Sequence, residues 1–134
     1  MMEQTFAMIK PDAVKLGHSG KIIDRIEHEG FNIVEMKKMT FTRALAEQFY
    51  GVHSARPFFG ELVEMITSGP VIALLLEKEG AIMAWRDLMG ATNPAQAAEG
   101  TIRKLYGTNI GSNASHGSDA AETAKSEISL IFGK

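Results

Sequence analysis

Apolar and polar positions change period several times along the chain, and each change marks an element. Phe6, Met8 and Ile9 form a short apolar run that Pro11 stops, which predicts a strand over residues 4–10 and leaves Lys10 at its end. Over residues 17–30, Ile22, Ile23 and Ile26 share one face among charged neighbours, which predicts a helix of about three turns closed by Gly30. A long, half-polar strand over residues 31–41 follows. Thr42 then suits the N-cap of a helix carrying Leu45 and Phe49, with Tyr50 and His53 near its end and a break at Arg56 and Pro57. Phe59, Leu62, Val63 and Ile66 occupy the i, i+3, i+4, i+7 positions of an amphipathic helix that Ser68, Gly69 and Pro70 terminate, and Phe58 lies off that stripe.

The unbroken apolar run at residues 71–76 is the best candidate for a central strand buried on both faces. Ile82, Trp85 or Arg86, and Met89 predict a short helix ended by Gly90. Residues 90–100, rich in alanine, read as a surface excursion, followed by a turn or two of helix at 101–106 and a loop at 107–112. His116, set among small residues, is expected at a turn rather than on a strand or helix face. Asp119 with Glu122 has the form of a capping box for a last helix, whose buried stripe would be Ala121, Ala124, Ile128 and Ile131, with Glu127 at its flank. Strands and helices thus alternate without a GxxxxGK[ST] loop or a GxGxxG after the first strand. An α+β sandwich, helices packed on one sheet, is the expected class.

Composition narrows the partners rather than the fold. At 134 residues, 45% apolar and 22% charged, the chain is expected to form a single domain over 1–134 with a real core. Net charge is −2, from 14 basic and 16 acidic residues without a basic run, so nothing points to nucleic acid or a membrane surface. Cysteine is absent, the N-terminus is unlike a signal peptide, and no segment approaches a membrane span, so a cytoplasmic location is expected. His18, His28, His53 and His116 show no HxxxH or HExxH spacing, so no protein-ligated transition metal is expected.

The polar residues outside apolar faces are types that bind phosphate: Lys10, Arg86, Arg103, Thr92 and Asn113. Phosphoryl transfer needs such a set, because its transition state spreads charge over the equatorial oxygens and is stabilised by cations. Each taken singly also fits a solvated face. A histidine, with an ordinary pKa of about 6.5, can keep one nitrogen lone pair free while an acceptor holds the other nitrogen, which is what a nitrogen nucleophile requires. Glu127 could be that acceptor or a surface glutamate. Phe58 could stack on a base or belong to the core, and Tyr50 could donate its phenol to the histidine or a phosphate, or end a helix.

Taken together, IKPDAV at 9–14, Tyr50 with ARPFF at 55–59, SGPV at 68–71, MGATNPA at 89–95, GTIRKLYG at 100–107 and NASHGSD at 113–119 resemble the nucleoside diphosphate kinases from end to end. The resemblance implies a ping-pong enzyme moving the terminal phosphate of a nucleoside triphosphate, typically ATP, to a nucleoside diphosphate. His116 matches the nucleophile that becomes phosphohistidine. Lys10, Arg86, Thr92, Arg103 and Asn113 match nucleotide-contacting positions, Phe58 and Ile110 the walls around the base, and Tyr50, Ser118 and Glu127 the shell that orients the histidine. It further implies a ferredoxin-like sandwich with a four-stranded antiparallel sheet, Mg²⁺ held mainly by the nucleotide phosphates, and a homo-oligomer, hexamer or tetramer. The chain stops at Lys134 without the C-terminal extension of longer members, which bears on the strength of that assembly. A phosphohistidine carrier would share the nucleophile but would not need Phe58, Arg86 and Arg103, and a silent interaction protein would not need His116 or Lys10.

Overall fold

The computed structural model describes residues 2–51 and 54–134, so the expectation for His53 falls outside the described residues. Strand β1 (Met2–Ile9) runs directly into a short helix α1 (Pro11–Lys15), which is followed by α2 (Ser19–His28). Pro11 ends the strand as expected, yet it also opens a helix the apolar pattern did not reveal. Its ring presets the first helical φ, and its missing N–H is one that a first turn leaves unbonded anyway. Then come β2 (Asn32–Met39), α3 (Arg43–Phe49), α4 (Phe59–Ile66), β3 (Val71–Glu79) and α5 (Ala81–Met89). A single 3₁₀ turn (Pro94–Gln96), α6 (Ile102–Tyr106), β4 (Ser115–Gly117) and α7 (Ala121–Phe132) complete the order.

The four strands form one antiparallel sheet in the order β2-β3-β1-β4. Helices cover both faces, and the twofold alternation of β1 and β3 explains why. Phe6 and Met8 of β1, with Val71, Ala73 and Leu75 of β3, point to a layer closed by Phe49, Val63, Ile66, Ile128 and Ile131 from α3, α4 and α7. Ala7 and Ile9, with Leu74 and Leu76, point to the opposite layer, closed by Ile22, Ile26, Trp85, Leu88 and Ile102 from α2, α5 and α6. This double burial is what the continuous run at 71–76 requires. The arrangement is the ferredoxin-like α+β sandwich, with β1 and β3 central.

Three local expectations are corrected. His116 is not at a turn: it is the middle residue of β4, paired with Met8 of β1. Long-range pairing makes this three-residue strand, so neither β-propensity nor alternation announces it. Asp119 does not cap α7. The helix starts later, with Ala120 in extended backbone at its N-cap and no side chain bonded there. Ala121 is exposed, and the buried stripe of α7 is instead Ala124, Glu127, Ile128 and Ile131. Thr42, by contrast, caps α3 as expected, accepting from the Leu45 amide at 3.1 Å.

Candidate active site

β4 fixes the histidine between two layers. His116 lies opposite Met8, so its ring joins the Phe6 and Phe49 side of the sheet, with ring centres 6.0 and 5.1 Å away. Gly117 faces the other way, where Trp85 leaves no room for a side chain: a Cβ there would stand 2.4 Å from the indole Cδ1. The same indole donates from Nε1 to the His116 carbonyl at 3.2 Å. Trp85 is fully buried and Arg86 is exposed, which resolves which of the two belongs to the apolar face of α5.

Among the described residues, hydrogen bonds hold the imidazole from one side only. Its Nε2 lies 3.2 and 3.1 Å from the two carboxylate oxygens of Glu127. The Ser118 hydroxyl donates to Glu127 Oε1 at 2.6 Å. A carboxylate only accepts, so Nε2 carries the proton, and in the neutral ring Nδ1 keeps its lone pair. Glu127 is therefore not a surface glutamate but a buried group, 8% exposed, whose oxygens are occupied by the histidine and a serine. Tyr50 ends α3 beside them, and burial, reinforced by the negative charge of Glu127, pushes its phenol well above the usual tyrosine range.

Cations gather on the other side. Lys10, at the junction of β1 and α1, is 7% exposed and donates from Nζ to Asn113 Oδ1 at 2.9 Å and to the Gly111 carbonyl at 3.2 Å. Asn113 in turn donates to the Thr92 carbonyl at 3.0 Å. Burial pulls the Lys10 ammonium down to about 8, against the pull of nearby Asp12 and with a further push from Arg103. Arg103 donates to the carbonyls of Gly90 and Ser115, each at 3.0 Å, and its Nε is buried without a hydrogen-bond partner among the described residues. Burial, and then the like charge of Arg86, bring Arg103 down to about 10, so it stays cationic at neutral pH.

These groups share a cavity of about 710 Å³. Lys10, Tyr50, Thr92, Arg103, Asn113, His116 and Glu127 are on its wall, and Phe58 and Ile110, 42% and 59% exposed, add apolar surface. Arg86 is not on this wall. It lines an adjoining hollow of about 600 Å³ that shares Thr92 and Arg103 with the first. Ser118 stands wholly buried behind Glu127. Among the described residues no group of three His, Asp or Glu side chains could cage a metal ion. Sequence reasoning missed three contributors: Asp12, Asp119 as part of the wall, and Trp85 as the support of β4. Only the tryptophan carried a signal, as the single Trp of the chain, and its packing against Gly117 shows only in the fold.

The profile of the family described as Nucleoside diphosphate kinase matches residues 3–134. The chain belongs to that family. A nucleoside diphosphate kinase of Trichlorobacter lovleyi is 60% identical over 131 residues, 98% of this chain and 95% of the relative. One from Deinococcus radiodurans is 55% identical over 132 residues, 98% of this chain and 96% of the relative. Among solved structures, the Aquifex aeolicus kinase superposes with a TM-score of 0.97 at 47% identity, covering 98% of this chain and 96% of that one. The Halobacterium salinarum kinase, solved in complex with CDP, gives 0.96 at 43% identity, covering 100% and 90%. The activity that goes with this kinase family is phosphotransfer between nucleoside phosphates, and no helix among the described residues is long and apolar enough to cross a membrane.

Proposed function

We propose that His116 is the phosphoryl carrier of this kinase and that it reacts through Nδ1. The observation that carries this reading is the double contact of Glu127 with Nε2, which leaves the other nitrogen as the only lone pair of the ring. In the first half-reaction the Nδ1 lone pair forms a bond to the terminal phosphorus of a nucleoside triphosphate, typically ATP, as the bond to the bridging oxygen breaks. The nucleoside diphosphate leaves with that electron pair. In the second half-reaction an oxygen of another diphosphate displaces Nδ1 from the same phosphorus. Positive charge grows on the imidazole as it attacks, and Glu127 is the carboxylate that offsets it.

Lys10, Arg103 and the Thr92 and Asn113 groups would bind phosphates, Lys10 and Asn113 also serving the ribose, with Arg86 reaching the phosphates from the adjoining hollow. Lys10 and Arg103 are already desolvated and held by carbonyl and amide oxygens, so little reorganisation accompanies charge transfer to the phosphoryl oxygens. Phe58 and Ile110 supply apolar walls for the base. Stacking of this kind accepts any base, which favours one donor serving many acceptors. Mg²⁺ fits the site as a cation carried in on the nucleotide. The carboxylates on the wall, Glu61, Asp119 and Glu127, form no cage among the described residues, and the ion would neutralise the phosphate charge. We further infer a single domain over residues 1–134, a cytoplasmic setting, and a homo-oligomer, hexamer or tetramer. Exposed Val34 and Met36 on the edge strand β2 support self-association.

The test is substitution of the carrier. His116→Ala should abolish phosphoenzyme formation from γ-labelled ATP while nucleotide binding, measured by calorimetry, remains. A variant that still labels would move the nucleophile elsewhere.

A further inference from the structure

The turn that leads into β4 is strained, and Asp12, to which the proposed reaction gives no role, holds it. Ala114 has a φ of 72°, and it is the one described residue other than glycine on the positive side. The Ser115 amide donates to the Asn113 carbonyl at 2.9 Å, closing a three-residue γ-turn around it. Such a turn is disfavoured for an L-residue, so it persists only where its surroundings over-determine it. Both backbone groups of Ala114 are fastened by the first turn after β1. Its carbonyl accepts from the Lys10 amide at 2.9 Å, and its amide donates to Asp12 Oδ2 at 3.0 Å. The second carboxylate oxygen of Asp12 is buried and has no hydrogen-bond partner among the described residues.

We propose that Asp12 is a positioning residue of the kinase. Its carboxylate clamps the Ala114 turn, setting Asn113 against Lys10 on one side and His116 into β4 on the other, while its charge keeps the buried ammonium of Lys10 in place. This rests on the reading of His116 as carrier. It accounts for two facts that a helix-end acid alone leaves unexplained. Asp12 spends its bond on an amide 102 residues away rather than on its own five-residue helix. It is also the charge that opposes the fall of the Lys10 ammonium, against burial and Arg103.

The experiment compares Asp12→Asn and Asp12→Ala with the full-length wild type, measuring phosphoenzyme formation, its discharge to GDP, the pH profile of kcat/KM and Tm. Asparagine keeps an oxygen that can accept from the Ala114 amide but loses the charge; alanine loses both. The alanine variant should lose about tenfold or more in the phosphorylation rate, because small displacements of a reacting group are costly. The asparagine variant should recover a large part of that loss at neutral pH, while the alkaline limb of its kcat/KM profile moves to lower pH. Two variants with wild-type rates and an unmoved limb would overturn the proposal. So would equal losses in both that merely follow a fall in Tm, since that is the mark of an ordinary structural contact. Absence of a phosphoenzyme in the wild type would overturn it together with the reading of His116, whereas normal wild-type labelling with indifferent variants would overturn it alone.

Discussion

Glu127→Gln isolates the carboxylate that defines the reacting nitrogen. Glutamine has the same shape and can still accept from Ser118 or from the imidazole. It has no charge to set against the imidazolium that develops during attack, and its amide can donate to Nε2 and so stabilise the tautomer with the proton on Nδ1. The contacts at risk are the pair at 3.1 and 3.2 Å to the ring and the 2.6 Å serine bond, all in a group 8% exposed. A hydrogen bond to a charged partner in such a place contributes about 1.5–3 kcal/mol, which corresponds to about a ten- to hundredfold slower phosphorylation step. The buried charge also costs desolvation, so its removal should leave Tm within a few degrees of wild type. Rapid-quench measurement of phosphoenzyme formation from γ-labelled ATP in a single turnover reads the step directly. Phosphorylation within about threefold of wild type, with Tm unchanged, would refute the role given to Glu127.

Lys10 should impose an alkaline limit. Its ammonium is charged below about 8 and lost above it, so kcat/KM for the nucleotide should fall roughly tenfold per pH unit beyond that point, and a profile flat to pH 9.5 would contradict the assignment. The sign for stability is the reverse. The folded value lies below the ordinary 10.5, so the unfolded chain binds more protons between about 8 and 10.5, and the contribution of this group to stability should rise with pH across that window in denaturant titrations. Gly117→Ala should lower Tm and slow phosphorylation together. Its Cβ would stand 2.6 Å from Trp85 Nε1 and 2.7 Å from Met89 Cε, an overpacking that costs about 1–3 kcal/mol and displaces the neighbouring histidine; an active, stable variant would show that β4 can yield.

The elements that declared themselves in the sequence are those whose pattern is local. The run at 71–76 is apolar because β3 is covered on both faces. The spacing of Phe59, Leu62, Val63 and Ile66 follows the one face of α4 that meets the core, and Thr42 caps because its hydroxyl reaches an amide three residues on. What stayed hidden depends on partners far along the chain. β4 exists through three pairings with β1, more than 100 residues away, and no property of Ser115, His116 and Gly117 predicts it. Glu127 looks like a flank of α7 until the histidine arrives to make its burial tolerable. The residue types of Lys10, Arg103 and Asn113 pointed to phosphate, and their motif matched the family, but their convergence on one cavity is a product of the fold. Arg86 shows the limit of that inference, since it enters by the neighbouring hollow.

The central claim is that His116 carries the phosphoryl group between nucleotides, and transfer from an isolated phosphoenzyme tests it most directly. The protein would be labelled with γ-labelled ATP and Mg²⁺, freed of nucleotide, and chased with GDP. The label should be acid-labile, base-stable and confined to His116, and it should pass to GTP. A label on another residue, or one on His116 that GDP does not remove, would contradict the account.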